Sequence, residues 1–519
     1  MGLYLNSDNN GFKDTLASEI YVDKSGLIEY TNKSLGTNRK YICVSRPRRF
    51  GKTTAAEMLI SYYSVACDSH TLFNNLNISH SETYEAHLNK YNVLFLNITD
   101  FWDISQNGGD LTSQLKKRIT RDLKSEFGIV IDEENLLTEN MTLVYKHTNR
   151  RFVVIIDEWD CVFREKRFDE DSQKEYLDFL RKLLKDKSYI ALVYMTGILP
   201  IKKYGVHSAL NMFDEFSMTG MRSLAPYTGF TEAEVKFLCG KYDINFYEME
   251  RWYKGYLLGD NHIYNPKSVV DAITFNTFDN YWTTTEIYDA LKYYIDFNIE
   301  GLKDDVIKLI SGQRIKINPL RFANDMTTFK SKDDIFTLLV HLGYLGFDSN
   351  TREVFVPNEE IKIEFANAVD GAEWGNISKA IEQSDKLLEA TLALDEDTVA
   401  QYIDAAHSSN TSILKYNDEN SLSCVIAIAY YTAGKYYKII RELTTGKGFA
   451  DMVFIPRKNV NKPALLIELK WDDNADSALQ QIKSKNYTGA LDEYKGNILL
   501  VGINYDKTNK NHSCKIENM

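Results

Sequence analysis

The sequence predicts an α/β protein, with a parallel sheet covered by helices on both faces in its first part, helical segments in the middle and a second, smaller α/β domain at the C-terminal end. Three observations carry this. Gly51-Lys52-Thr53 stands between a short apolar run and a helical stretch, as in strand–loop–helix units that hold phosphate groups. Apolar runs of strand length alternate with helical stretches along the first part of the chain, the order of a parallel sheet. Near the C-terminal end the order becomes helix, three strands, helix, strand, which describes a separate sheet.

The first strand is Tyr41-Ile42-Cys43-Val44, and the helix after it begins near Thr53 and carries Ala55, Met58, Leu59 and Tyr62 at helical spacing. Between them Arg48, Arg49, Phe50, Gly51, Lys52, Thr53 and Thr54 form a loop and helix start whose backbone N–H groups would face a triphosphate. Lys52 would reach the β and γ oxygens of ATP, and the Thr53 hydroxyl would take Mg²⁺. The first glycine of such a loop is replaced here by Arg46. Gly-Lys-Thr is common by chance, so a second half of the site is required.

That half lies at Phe152-Val153-Val154-Ile155-Ile156, a continuous apolar run, as in a strand covered on both faces, ending in Asp157-Glu158. An acid at the carboxyl end of a parallel strand faces the ligand crevice. Asp157 is expected to serve Mg²⁺ and Glu158 to polarise the attacking water; the alternative for two acids in this place is a helix cap. Asn92-Val93-Leu94-Phe95-Leu96-Asn97 reads as a further buried strand and 109–127 as a charged helix. Ile190-Ala191-Leu192-Val193-Tyr194-Met195 is a fourth strand ending in Thr196-Gly197, where Thr196 is either a γ-phosphate sensor or a strand-end turn residue.

With 519 residues the chain is long enough for about three domains. Hydrophobic content of 44% and charged content of 26% describe a globular protein. No apolar run approaches the roughly 20 residues of a membrane span, and no basic-then-apolar leader opens the sequence. Asn6 stands where a myristoylation signal needs Ser or Thr. Six cysteines without paired spacing indicate neither disulfides nor zinc, so a cytoplasmic protein without a membrane partner is expected. The net charge is −12, but residues 408–519 hold 15 Lys/Arg against 12 Asp/Glu, so this segment is +3 and the rest −15. The C-terminal part is electrostatically distinct.

Residues 229–269 are helix-rich, with Phe237, Tyr242, Phe246, Trp252, Tyr253 and Tyr256 read as the core of a helical lid. From 333 to 366 the pattern is helix, turn and short strands, and 373–406 is further amphipathic helix. In the final domain Asp451 opens one strand, while Glu468 and Lys470, two apart on Ala464-Leu465-Leu466-Ile467-Glu468-Leu469-Lys470, share a face. Phosphodiester cleavage needs a divalent ion between acids and a cation beside the attacking water. The competing reading is a Glu–Lys pair on a solvated strand face.

Arg46-Pro47-Arg48-Arg49-Phe50-Gly51-Lys52, Ile156-Asp157-Glu158, Thr196-Gly197, Tyr227-Thr228-Gly229-Phe230-Thr231-Glu232, Trp252-Tyr253-Lys254-Gly255-Tyr256 and Tyr264-Asn265-Pro266-Lys267-Ser268-Val269 together resemble the AAA-ATPase-like family that usually carries a PD-(D/E)XK nuclease-like domain at its C-terminus. The resemblance implies a P-loop NTPase domain over 1–228, a helical lid over 229–330, a winged-helix-like linker over 331–407 and a restriction-endonuclease-like domain over 408–519. It accounts for Arg46, since that family opens its loop with Arg-Pro-Arg-Arg. It implies ATP and Mg²⁺ as cofactors, with Thr53 and Asp157 at one metal position and Asp451 and Glu468 at another. Asp451, Glu468 and Lys470 match the nuclease core, Glu442 and Gln481 accessory positions, and Glu419 the acid of the first helix, although the Tyr-His-Ser often found there is absent. Nucleic acid, DNA before RNA, is the implied partner, and a homo-oligomer is left open. Arg48, Arg49 and Arg222 are unranked candidates for an arginine finger.

Overall fold

The computed structural model describes residues 2–105, 110–164, 170–201, 210–220, 224–282, 289–323, 329–369, 374–410, 419–445, 448–457, 460–485, 491, 494 and 496–519. They form two compact units, Met1–Ile287 with Lys316–Ile361 and Tyr288–Ile315 with Lys362–Met519. The stretch 331–407, one linker in the sequence reading, is divided between the units after Ile361.

The first unit is built on five strands, β1 (Tyr41–Ser45), β2 (Asn92–Asn97), β3 (Phe152–Asp157), β4 (Ile190–Gly197) and β5 (Asp214–Phe216). They lie in the order β2-β3-β4-β1-β5, and every pairing is parallel. All residues of β1, β3 and β4 are buried, which explains their unbroken apolar runs. Ala55, Met58, Leu59 and Tyr62 of the helix Lys52–Tyr63 pack with Ile42, Val44, Val153 and Ile155 in one core, at the helical spacing expected. β4 lies between β1 and β3, and its last residues pair with the end of β1: Val44 with Thr196 and Ser45 with Gly197.

Three short strands, β6 (Phe230–Thr231), β7 (Tyr256–Leu258) and β8 (Asn261–Tyr264), form an antiparallel sheet in the order β6-β8-β7. The helices Glu232–Tyr242, Phe246–Tyr253 and Pro266–Phe275 pack beside it around Val235, Leu238, Met249, Tyr253 and Val269. Tyr253 and Tyr256 are buried, and Tyr242, Phe246 and Trp252 pack partly against this core. Phe237 departs from the sequence reading. It is 70% exposed, because Val235, Leu238 and Cys239 supply the inner face of its helix. The strand β9 (Ile315–Lys316) belongs to a small sheet with β10 (Gly346–Asp348) and β11 (Glu353–Phe355), and the helix Lys332–Leu342 precedes that hairpin.

The second unit contains β12 (Tyr437–Thr445), β13 (Gly448–Pro456), β14 (Ala464–Trp471), β15 (Ile498–Asp506) and β16 (Asn511–Asn518), in sequence order across one sheet. β14 and β15 are parallel and the other neighbours antiparallel. The helix Ala475–Lys485 makes the parallel crossover, and its Leu479 and Ile482 pack with Val453, Leu466 and Leu500. Gly502 is the point of closest approach: a Cβ there would come within 2.5 Å of the Ala475 carbonyl oxygen. The helix Glu419–Ala429 leads to Tyr430, whose ring meets Phe454 edge-on at 5.3 Å on the opposite face. β16, with only every second residue buried, has no counterpart in the sequence reading.

Candidate nucleotide site and candidate nuclease site

The carboxyl ends of β1, β3 and β4 converge on one edge of the first unit's sheet. Arg46 leaves β1 with its side chain turned inward and 2% exposed, and its Nη1 donates to the carbonyls of Ser45 at 2.8 Å and Phe216 at 2.9 Å. Where a glycine would leave space, this arginine ties the loop to β5. Arg48 and Arg49 are exposed, and Arg49 has φ of 66°. Gly51 (φ 78°) is the N-cap of the helix Lys52–Tyr63 and, having no side chain, cannot cap the first-turn amides itself. Such amides, with the helix dipole behind them, form an anion cradle.

Lys52 is buried, with Nζ 3.1 Å from the Arg46 carbonyl oxygen and 3.0 Å from that of Pro47. Burial lowers its pKa, opposed by the nearby carboxylates of Glu158, Asp157 and Asp160. The Thr53 hydroxyl donates to Asp157 Oδ2 at 2.7 Å. Asp157 Oδ1 receives the Thr196 hydroxyl and, at 3.0 Å, the Glu158 amide. One buried carboxylate thus joins the loop, β3 and the end of β4. Residues Thr53, Asp157 and Thr196, chosen from separate stretches of sequence, are brought together.

Glu158 turns sharply off β3, with φ of 51°. Burial raises its pKa, and Lys52 and Arg164 oppose the rise. Its Oε2 is ion-paired with Arg164 Nη2, and Arg164 Nε lies 3.1 Å from Asp160 Oδ2. Neither Arg164 nor Asp160 was singled out from the sequence. The signal available was an arginine one helical turn after Asp160.

Beside the loop opens a cavity of about 160 Å³, lined by Tyr21, Val22, Phe50, Thr54, Met58 and Tyr227 among others. Tyr21 and Val22, from the stretch before β1, thus pack beside this loop. Lys24 fastens this stretch to the helix Glu232–Tyr242, with its ammonium 2.6 Å from Glu234 and 2.8 Å from the Pro226 carbonyl oxygen. Gly229 (φ 87°) donates its amide to the Phe50 carbonyl at 2.9 Å, and a Cβ on it would come within 2.4 Å of Ile263.

In the second unit Met452 pairs with Ile467 and Val453 with Leu466. One further step of that register sets Asp451 beside Glu468, on the face covered by the helix Ala475–Lys485. Asp451 Oδ2 accepts the Leu469 amide at 2.7 Å. Glu468 is 1% exposed, and its Oε1 receives Gln481 Nε2. Lys470 follows on the same face of β14, half-buried. The side chains of Glu419 and Glu442 lie outside the described residues, as does Arg222.

No group of three or more His, Cys, Asp or Glu residues in metal-binding arrangement occurs among the described residues. The donors nevertheless suit Mg²⁺. This ion takes one or two protein oxygens and completes its shell with water and phosphate, and Thr53 with Asp157, or Asp451 with Glu468, offers such a pair. No described helix is long and apolar enough to cross a membrane.

Residues 12–207 match the family described as a predicted AAA-ATPase, and residues 417–514 match the PD-(D/E)XK nuclease superfamily. Among solved structures, a Walker-type ATPase of Pyrococcus abyssi is similar at 12% identity and a TM-score of 0.33, covering 66% of this chain and 94% of its own. The ORC2 protein of Aeropyrum pernix, solved as ADPNP and ADP complexes, is similar at 10% identity and a TM-score of 0.32, covering 70% of this chain and 98% of its own. Cdc6p of Pyrobaculum aerophilum has 10% identity, a TM-score of 0.28 and the same coverage, 70% and 98%. No curated protein matches the chain. The chain thus joins an AAA-ATPase-like domain, residues 12–207, to a C-terminal domain of the PD-(D/E)XK nuclease superfamily, residues 417–514.

Proposed function

We propose that the first unit binds and hydrolyses ATP and that this controls a Mg²⁺-dependent nuclease in the second unit, acting on nucleic acid and on DNA in preference to RNA. The observation that carries the nucleotide half is the Asp157 carboxylate, shared by the hydroxyls of Thr53 and Thr196. Phosphates would lie against the amides that follow Gly51, with Lys52 supplying positive charge. Glu158 would accept a hydrogen bond from the attacking water and aim it. The cavity beside Phe50 and Tyr227 has an apolar lining suited to a purine.

For the nuclease half, Asp451 and Glu468 would hold Mg²⁺, and Lys470 would orient and polarise the attacking water. A bound divalent ion supplies Lewis-acid stabilisation of the phosphodiester transition state. The Leu469 amide points to Asp451, so the carbonyl of that residue, on the same edge of an extended strand, also faces that acid. Gln481 orients Glu468 from the neighbouring helix.

A second reading is an ATP-switched module whose nuclease-like domain binds nucleic acid or protein without cutting. It is favoured by the modest charge of +3 over residues 408–519, where duplex binders usually carry a denser basic stripe. Plasmid incubated with the purified protein and Mg²⁺ or Mn²⁺, each with and without ATP, separates the two. Nicking that responds to ATP supports the gated nuclease; binding without nicking under every condition supports the second reading.

A further inference from the structure

Glu158 does not stand alone at the end of β3. Its carboxylate is met by one guanidinium nitrogen of Arg164, while a different nitrogen of the same group reaches Asp160. Asp160 is fully buried, and its Oδ2 also accepts the amides of Ile198 at 3.2 Å and Leu199 at 2.8 Å. These two residues directly follow Thr196-Gly197 at the end of β4. The Trp159 amide donates to the Thr196 carbonyl at 3.0 Å, a second tie between the same two segments. The Arg164 side chain is 10% exposed and that of Glu158 24%.

The arrangement is a chain of fixed points. The turn after β4 holds Asp160, Asp160 holds Arg164, and Arg164 holds Glu158. A planar guanidinium can serve two carboxylates with two nitrogens in one fixed orientation, which an ammonium cannot do with the same geometry. Among the described residues, Lys52, Asp157 and Asp160 are the other charged groups acting on Glu158, so Arg164 adds a positive charge beside Lys52 to a site with two further carboxylates.

We propose that Arg164 is a positioning residue for ATP hydrolysis, holding the Glu158 carboxylate in the orientation in which it polarises the attacking water. This rests on the proposed hydrolytic role of Glu158. Arg164 acts through Glu158 and is anchored by Asp160, and its link to the phosphate cradle is a charge effect on Lys52, the weakest among the charged neighbours of that lysine, so its removal is expected to free the acid while leaving the cradle's own contacts in place.

The test is steady-state ATP turnover together with nucleotide binding for the full chain and for Arg164→Gln, Arg164→Lys, Glu158→Gln and the Glu158→Gln/Arg164→Gln double variant. Arg164→Gln is expected to lower kcat at least tenfold, with KM and nucleotide Kd within about twofold of wild type. This is the pattern of an interaction used only in the transition state. Arg164→Lys should recover part of kcat. In the Glu158→Gln background, Arg164→Gln should cause no further loss, because residues acting through one another are not additive. Normal or raised kcat in Arg164→Gln, or equal losses of turnover and binding, would overturn the proposal. A wild-type protein that binds ATP without turning it over removes the hydrolytic role of Glu158 and this inference with it, whereas wild-type turnover with an indifferent Arg164→Gln removes the inference alone.

Discussion

The Phe50 ring, in the loop after β1, stands edge-on to Tyr256 of β7, with centroids 5.2 Å apart. Tyr256 is buried, and its hydroxyl donates to the Gly343 carbonyl at 2.8 Å. Gly343 in turn lies against Pro47, which a Cβ at that position would approach within 2.9 Å. The loop after β1, strand β7 and the turn after the helix Lys332–Leu342 therefore meet around one tyrosine. Tyr256→Phe keeps the ring contact and removes the hydrogen bond, and should cost about 1 kcal/mol. Tyr256→Ala should cost about 3–5 kcal/mol by leaving a cavity. Urea midpoints of the full chain check both values, and equal stability of the two variants would contradict this role.

A related junction involves Glu360. It is 1% exposed and accepts the Ser268 hydroxyl at 3.0 Å and the amides of Tyr281 and Trp282, each at 2.8 Å. Glu360→Ala leaves these donors buried, so a loss of about 3 kcal/mol or more is expected. Glu360→Gln should lose less, since it retains an acceptor oxygen. Chemical denaturation of the two variants distinguishes the outcomes.

Lys52→Ala should leave the fold intact and abolish nucleotide binding. ATP at one hundred times its Kd should stabilise the wild-type first unit by about 2.7 kcal/mol, and the variant should show no such gain. Thermal unfolding with and without Mg²⁺-ATP measures this difference.

In the second unit, burial depresses the His407 pKa to about 4, with His512 lowering it further and Asp404 opposing. The His407 ring lies 4.9 Å from that of His512 and 4.5 Å from that of Tyr505. The folded state thus favours neutral imidazole, while the unfolded chain protonates near 6.5. The stability from this group is fully present above about pH 6.5 and is lost as pH falls toward 4. His407→Phe should flatten the decline in unfolding midpoint between pH 7 and pH 5, and an unchanged slope would contradict the assignment.

The sheet strands that carry the candidate nucleotide residues were legible because burial on both faces makes them continuously apolar, as in Phe152–Asp157. β5 was not, since it has only three residues and Phe216 alone among them is fully buried. β16 was hidden for a different reason: its buried positions, His512, Cys514 and Ile516, alternate with polar ones and include a histidine, a weak strand signal. Gly51-Lys52-Thr53 and Asp157-Glu158 stood out as a candidate nucleotide site through residue chemistry read together with their places after a strand and at a strand end. The inward turn of Arg46 and the clamp of Arg164 on Glu158 were not visible, because both depend on which way a long side chain folds after the strand ends. Asp451, Glu468 and Lys470 were proposed as nuclease residues from spacing and resemblance, whereas the Leu469–Asp451 hydrogen bond required the sheet register.

The measurement that tests the central claim most directly is plasmid cleavage with Mg²⁺ and ATP by the wild type and Asp451→Ala, with ATP binding measured on the same samples. The wild type is expected to cut, and Asp451→Ala to lose cleavage while binding ATP with wild-type affinity. Undiminished cleavage by Asp451→Ala would contradict the assignment of the nuclease site.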